Sequence, residues 1–251
     1  AYTEITAAGN SILFPHEELK EMYVGYADVT DYVKSSGMGA YTVANVALAE
    51  GWGDNTGFYG HWGLVVVYQN AKMNWRDVTV FDGYSFVQSL DLEEHVGEIE
   101  INGFGAVKQG PVDMKLGLMA GEGDRGIHGD FLEIINQKGE WIPLKHPLNT
   151  TNNFFNSSIY TPVRDKEGKL VNNQRNPQIK NNTGIDIVSW DIPNPGNSII
   201  ANEQTSTRFR FGTKQDVYGI YAFAFSVRSY LPDIQVLNQV ETINHAIPGD
   251  E

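Results

Sequence analysis

Along most of the chain, apolar and polar positions alternate in short runs, and helical spacing is rare. Gly63 to Tyr68 is rich in β-branched and aromatic residues, and Asp77 to Phe81 reads Asp, Val, Thr, Val, Phe, so both stretches predict strands. Between them Gln69, Asn70, Lys72 and Asn74 supply turn and solvent-facing chemistry, which predicts a hairpin. The pair Asp82-Gly83 suits positive φ and closes its second strand. Similar signals recur about every ten residues, bounded by Gly, Pro, Asn and Asp. They predict strands near 10–14, 22–27, 40–48, 62–68, 77–82, 97–107, 114–120, 130–136, 183–190, 206–212 and 218–230. Helical signals are confined to His16–Met22, with two glutamates in its first turn, and Val29–Ser35, where Asp28 or Thr30 can cap. The pattern predicts an all-β chain, a β-sandwich of jelly-roll character with one or two short helices.

One stretch breaks the rhythm. From about Lys145 to Asn182 the chain is dense in Asn and Pro ("HPLNTTNNFFNSS", "VNNQRNPQIKNNTG"), a long loop excursion of the kind that carries function or mobility. The expected organisation is a single sandwich over residues 1–231, followed by a linker or strand over 232–251. That last segment passes Pro232 and alternates Ile234, Val236 and Leu237 toward Pro-Gly-Asp-Glu, as if leading into a following repeat domain.

Composition narrows the function classes. At 251 residues the chain can bury a large core without covalent staples, and with no cysteine it has neither disulfides nor thiolate metal sites. A formal charge of −13, from 18 basic and 31 acidic residues, argues against nucleic acid as a partner. No apolar run of membrane-spanning length occurs, and the opening "AYTEITAAGNSILF" lacks the basic start of a signal peptide.

Two segments carry candidate chemistry. "GEGDRGIHGDFLEI" interleaves Glu122, Asp124 and Asp130 with four glycines, and such a loop can wrap several oxygens around calcium; the competing reading is a hairpin whose aspartates bond their own backbone as Asx turns. "EGWGDNTGFYGHWG" places Glu50, Asp54 and Asn55 where an ion could sit. It also presents Trp52, Asp54, Phe58 and Tyr59 as candidate glycan contacts, aromatic faces for a pyranose and polar groups for its hydroxyls. Trp62 opens a predicted strand and is expected in the core. Catalysis has little support. There is no Gly-x-Ser-x-Gly elbow, and the six histidines show no metal-ligand spacing; a glycosidase pair such as Glu50 with Asp82 depends on distances that sequence does not give.

The order "YADVTDYV", "GAYTVANV", "GHWGLVVVYQN", "WRDVTVFDGY", "GEGDRGIHGD", "NNFFNSSI", "TGIDI", "TSTRFRFGTKQDVYG" resembles an uncharacterised β-rich domain of very large bacterial surface proteins. Such domains precede arrays of immunoglobulin-like repeats in adhesin-like and gliding-motility-associated proteins of Bacteroidota, exported by type IX secretion. The resemblance spans about residues 23–250. It implies an extracellular, cell-surface location, a non-enzymatic role in attachment or in a filament, and neighbouring repeat domains as partners, with glycans or other surface proteins as further candidates. It brings no catalytic residues. The alternative class is a carbohydrate-binding or glycan-hydrolysing domain using the loop around 50–62.

Overall fold

The computed structural model describes residues 2–14, 22–51, 58–89 and 91–230. Two short N-terminal strands, β1 (Ile12–Leu13) and β2 (Val24–Gly25), pair with each other, and one helix, α1 (Thr30–Ser36), follows. Of the two expected caps, neither occupies the N-cap, which is Val29 without a side-chain cap bond; the Thr30 N–H donates to Asp28 Oδ1 at 2.8 Å from just outside the helix. Then come β3 (Arg76–Gln88), β4 (His95–Asn102), β5 (Met114–Gly121), β6 (Phe131–Ile135) and β7 (Trp141–Pro143). The excursion holds β8 (Ile159–Tyr160), β9 (Pro162–Arg164) and β10 (Leu170–Asn172); β11 (Ile185–Ile192), β12 (Ser206–Thr213) and β13 (Val217–Arg228) complete the chain's described elements.

Two sheets form the body, in the orders β3-β13-β5-β11-β8 and β4-β12-β6-β7. The eight main strands pair first with last: β3 with β13, β4 with β12, β5 with β11, β6 with β7, all antiparallel. That is one long hairpin rolled over on itself, the jelly-roll topology. Period-two alternation sets the inner faces. In β5, Met114, Leu116, Leu118 and Ala120 are buried, while Lys115, Gly117 and Met119 face outward. Register places Trp190, Leu116 and Phe225 in one row across three strands, and Val188, Leu118 and Phe223 in another. Phe209 of the opposite sheet meets Phe223 and Phe225 edge-on at 5.0 and 5.2 Å, which joins the two layers.

Several expectations need correction. Residues 40–48 and 62–68 form no strand, and Asp77–Phe81, within β3, pairs with β13 rather than with Gly63–Tyr68. Apolar, β-branched composition makes a segment extended but does not choose its partner. Val65, Val66, Val67 and Tyr68 are exposed, and Trp62, expected in the core, is 43% exposed. The excursion, expected as loop, contains three short strands, and β8 joins the five-stranded sheet by a parallel pairing with β11. The predicted helix over His16–Met22 and the segment 232–251 lie outside the described residues, apart from Met22, which is not helical.

Candidate functional site

β5, the β12–β13 turn and the base of the excursion converge at one end of the sandwich. β5 ends at Gly121, and the Glu122 N–H donates to the Gly184 carbonyl at 2.9 Å. In the β12–β13 turn, Thr213 Oγ1 accepts from the Asp216 N–H at 2.9 Å, and Asp216 Oδ1 accepts from the Val217 N–H at 2.8 Å. This fixes the Asp216 carboxylate against the loop after β5, where its Oδ2 also accepts from the Asp124 N–H at 3.3 Å. As a result carboxylate oxygens of Glu122, Asp124 and Asp216 lie within 4.8 Å of one another. Glu122 and Asp216 are buried and Asp124 is exposed, so the group opens to solvent on one side.

The electrostatics of this group are unbalanced. Burial, then the nearby Asp216 and Asp124 charges, pushes the Glu122 carboxyl up to about 9. Burial, with repulsion from Asp124, raises Asp216 to about 7 against the bonds it accepts from Val217 and Asp124. Among the described residues no Lys, Arg or His ion pair reaches any of the three; Lys214, close in sequence, pairs with Glu94 instead.

Two more acids lie behind. Asp130 is fully buried; its Oδ1 accepts from the Phe155 N–H at 2.7 Å and its Oδ2 has no partner. Burial lifts it to about 7. Asp186 accepts from the Ser157 and Ser158 N–H groups at 3.0 and 2.8 Å, and burial holds it well above the usual carboxylate range. The Tyr218 hydroxyl, also fully buried, has no partner and senses the Asp130 and Asp216 charges. Asn153 donates to the Arg125 and Ile127 carbonyls at 3.1 and 2.7 Å, which fastens the 121–130 loop to the excursion.

Of the sequence candidates Glu122, Asp124 and Asp130, the structure brings Glu122 and Asp124 together, with Asp216 as the third carboxylate of the group. Asp130 serves the excursion backbone instead, because its strand-edge position turns the carboxylate inward onto Phe155. Nor does the Asx-turn reading hold for Asp124, whose carboxylate accepts no hydrogen bond among the described residues. Asp216 and Asp186 were missed. The only sequence trace of Asp216 is Thr213 three residues before it, a side-chain turn signal that says nothing about a partner some 90 residues earlier in the chain.

The aromatic segment divides differently. Trp52, Asp54 and Asn55 lie outside the described residues. Phe58 is exposed. Tyr59 turns onto the outer face of the five-stranded sheet, where it stacks near His61 and its hydroxyl donates to the Met22 sulfur at 3.4 Å. His61 packs against Tyr221 at 4.9 Å, and burial lowers its pKa to about 4. Gly121 admits this contact, since a Cβ there would lie 2.8 Å from the Tyr59 ring. Between the N-terminal segments and this sheet face lies a cavity of about 2370 Å³, bordered by Tyr59, His61, Tyr84 and Tyr221. Glu50 and Asp82 are both exposed, and no described contact joins them.

In comparisons with known proteins, no family model matches the chain and no curated protein matches it. No helix among the described residues is long and apolar enough to cross a membrane.

Proposed function

We propose that this chain is a non-enzymatic module of a large secreted cell-surface protein of adhesin or gliding type, presenting the excursion at one end of the jelly roll for attachment. The observation that carries this reading is the way the excursion is fastened. Asp130 holds Phe155, Asp186 holds Ser157 and Ser158, and the Asn182 side chain donates to the Ser157 carbonyl at 2.7 Å. The outer β9–β10 hairpin thus stands on a rigid base, which lowers the entropy cost of binding a partner. The motif order read from the sequence supports an extracellular setting with repeat domains as neighbours. Beads coated with the protein should adhere to a surface partner found on a glycan array or among surface proteins. Replacing residues 163–171 with a Gly-Ser linker should abolish adhesion while leaving the circular dichroism unchanged; undiminished adhesion would remove the proposal.

A carbohydrate-binding reading has its own observation, the cavity beside the exposed ring of Phe58. It expects glycan binding that Phe58→Ala weakens and that linker replacement of the hairpin leaves intact. The opposite pattern assigns binding to the hairpin.

A further inference from the structure

The carboxylates of Glu122, Asp124 and Asp216 come from two chain segments that the jelly-roll pairing brings to one end. Their spacing is informative. Oxygens bound to one calcium ion lie about 2.3–2.6 Å from it, so any two of them are separated by at most about 5 Å. The mutual distance of 4.8 Å or less meets that condition for all three oxygens together.

Proximity of acids is not enough, and other observations point to an ion. Glu122 is only 7% exposed, yet its Oε2 is sealed from solvent without a hydrogen-bond partner. Behind the group, and outside it, the fully buried Asp130 Oδ2 and Tyr218 hydroxyl are also unpartnered, and both side chains interact with the Asp216 charge. Buried polar atoms normally find partners. A cluster of unpartnered oxygens around three converging carboxylates, with no cationic side chain among the described residues to offset them, lacks a positive charge.

The donor set selects the ion. It contains only oxygens, which suit hard cations and give zinc or copper no nitrogen or sulfur. It is open on the Asp124 side, where solvent can supply further ligands, and a shell completed to about six to eight oxygens in this way suits calcium. We infer that Glu122, Asp124 and Asp216 hold one calcium ion, with solvent completing its shell on the Asp124 side. The ion ties the loop after β5 to the β12–β13 turn, and this assignment stands or falls independently of the surface-module reading.

The test uses the whole chain after chelation. Calcium titrated by calorimetry should bind with one-to-one stoichiometry, and millimolar calcium should raise the melting temperature by several degrees. Terbium in the same site should luminesce on excitation of the nearby tyrosines, and calcium should quench that signal by displacement. Asp124→Asn keeps the fold, because that side chain is exposed and accepts no hydrogen bond among the described residues. It should weaken calcium by about tenfold or more and, in chelator, melt no lower than the parent because a repulsion is relieved. Asp113→Asn, at the opposite end of β5, should leave calcium binding unchanged. Absence of both heat and melting shift in the parent at millimolar calcium would overturn the inference, as would a shift that Asp124→Asn retains in full.

Discussion

At Gly123 a Cβ would collide with the Phe155 carbonyl and lie 2.8 Å from Asp186 Oδ2, atoms that belong to backbone and to a buried carboxylate and cannot step aside. Gly123→Ala should therefore cost about 1–3 kcal/mol or more, while Gly126→Ala, with open space around it, should change stability little; urea unfolding of the two variants measures the difference. The buried ionisable groups give a second expectation. Folded Asp130 and Asp186 retain protons that the unfolded chain has already released, so their contribution to stability declines as pH rises from about 4 through about 7 and beyond. His61 and His146 act in the opposite direction. Burial lowers them to about 4 and about 3, so stability is lost as pH falls below about 6.5. Above about pH 6.5 the histidines are neutral in both states and only the carboxylates continue to titrate. In chelator the melting temperature should fall as pH rises from there through about 7 and beyond; a rise across that window contradicts the assignment of buried protonated acids.

Among the elements, Phe209 shows how the strands hold each other. Its ring is fully buried between two aromatic residues of the facing sheet, so Phe209→Ala should destabilise by about 3–5 kcal/mol, read as a lower denaturation midpoint at unchanged slope. This strand was legible in the sequence. "TRFRF" alternates strictly, and one face of it is buried, as are alternate residues in "MKLGLMA". The aligned hydrophobic rows of β5, β11 and β13 follow from the same signal. Pairing was not legible at Gly63–Tyr68, whose residues are as β-prone as those of β13 yet lie outside any ladder, because partner choice depends on strands more than 100 residues away. The candidate site was half legible for the same reason. Glu122 and Asp124 are neighbours in the sequence and announce themselves by their glycines, whereas Asp216 joins them only through the β5–β13 register, Gly219 opposite Gly121.

For the molecule as a whole, a calcium ion bound only to the folded state adds stability by mass action. At a hundredfold excess over the dissociation constant that is about 2.7 kcal/mol, or roughly 5–10 °C for a chain of this size. Hydrogen exchange should localise the gain to amides around residues 121–130 and 213–217, leaving the opposite end of the sandwich near Asn194 unchanged; uniform slowing across both ends contradicts a site confined to one. The first-to-last pairing of strands has a consequence for how the chain reaches its native state. β13 lies between β3 and β5, so an interior strand of the larger sheet is also the last of the described strands to be made. Until Arg228 is available, β3 has no ladder partner among the described strands and the inner rows of β5 are flanked on the β11 side alone. Local contacts cannot stabilise a partial structure, and folding is expected to be slow and all-or-none. A chain truncated after Asp216 should remain unfolded by circular dichroism rather than form a smaller sandwich. A nascent chain of this topology is expected to leave the apolar face of β3 uncovered until β13 has been made, so the larger sheet closes late however early its other strands emerge.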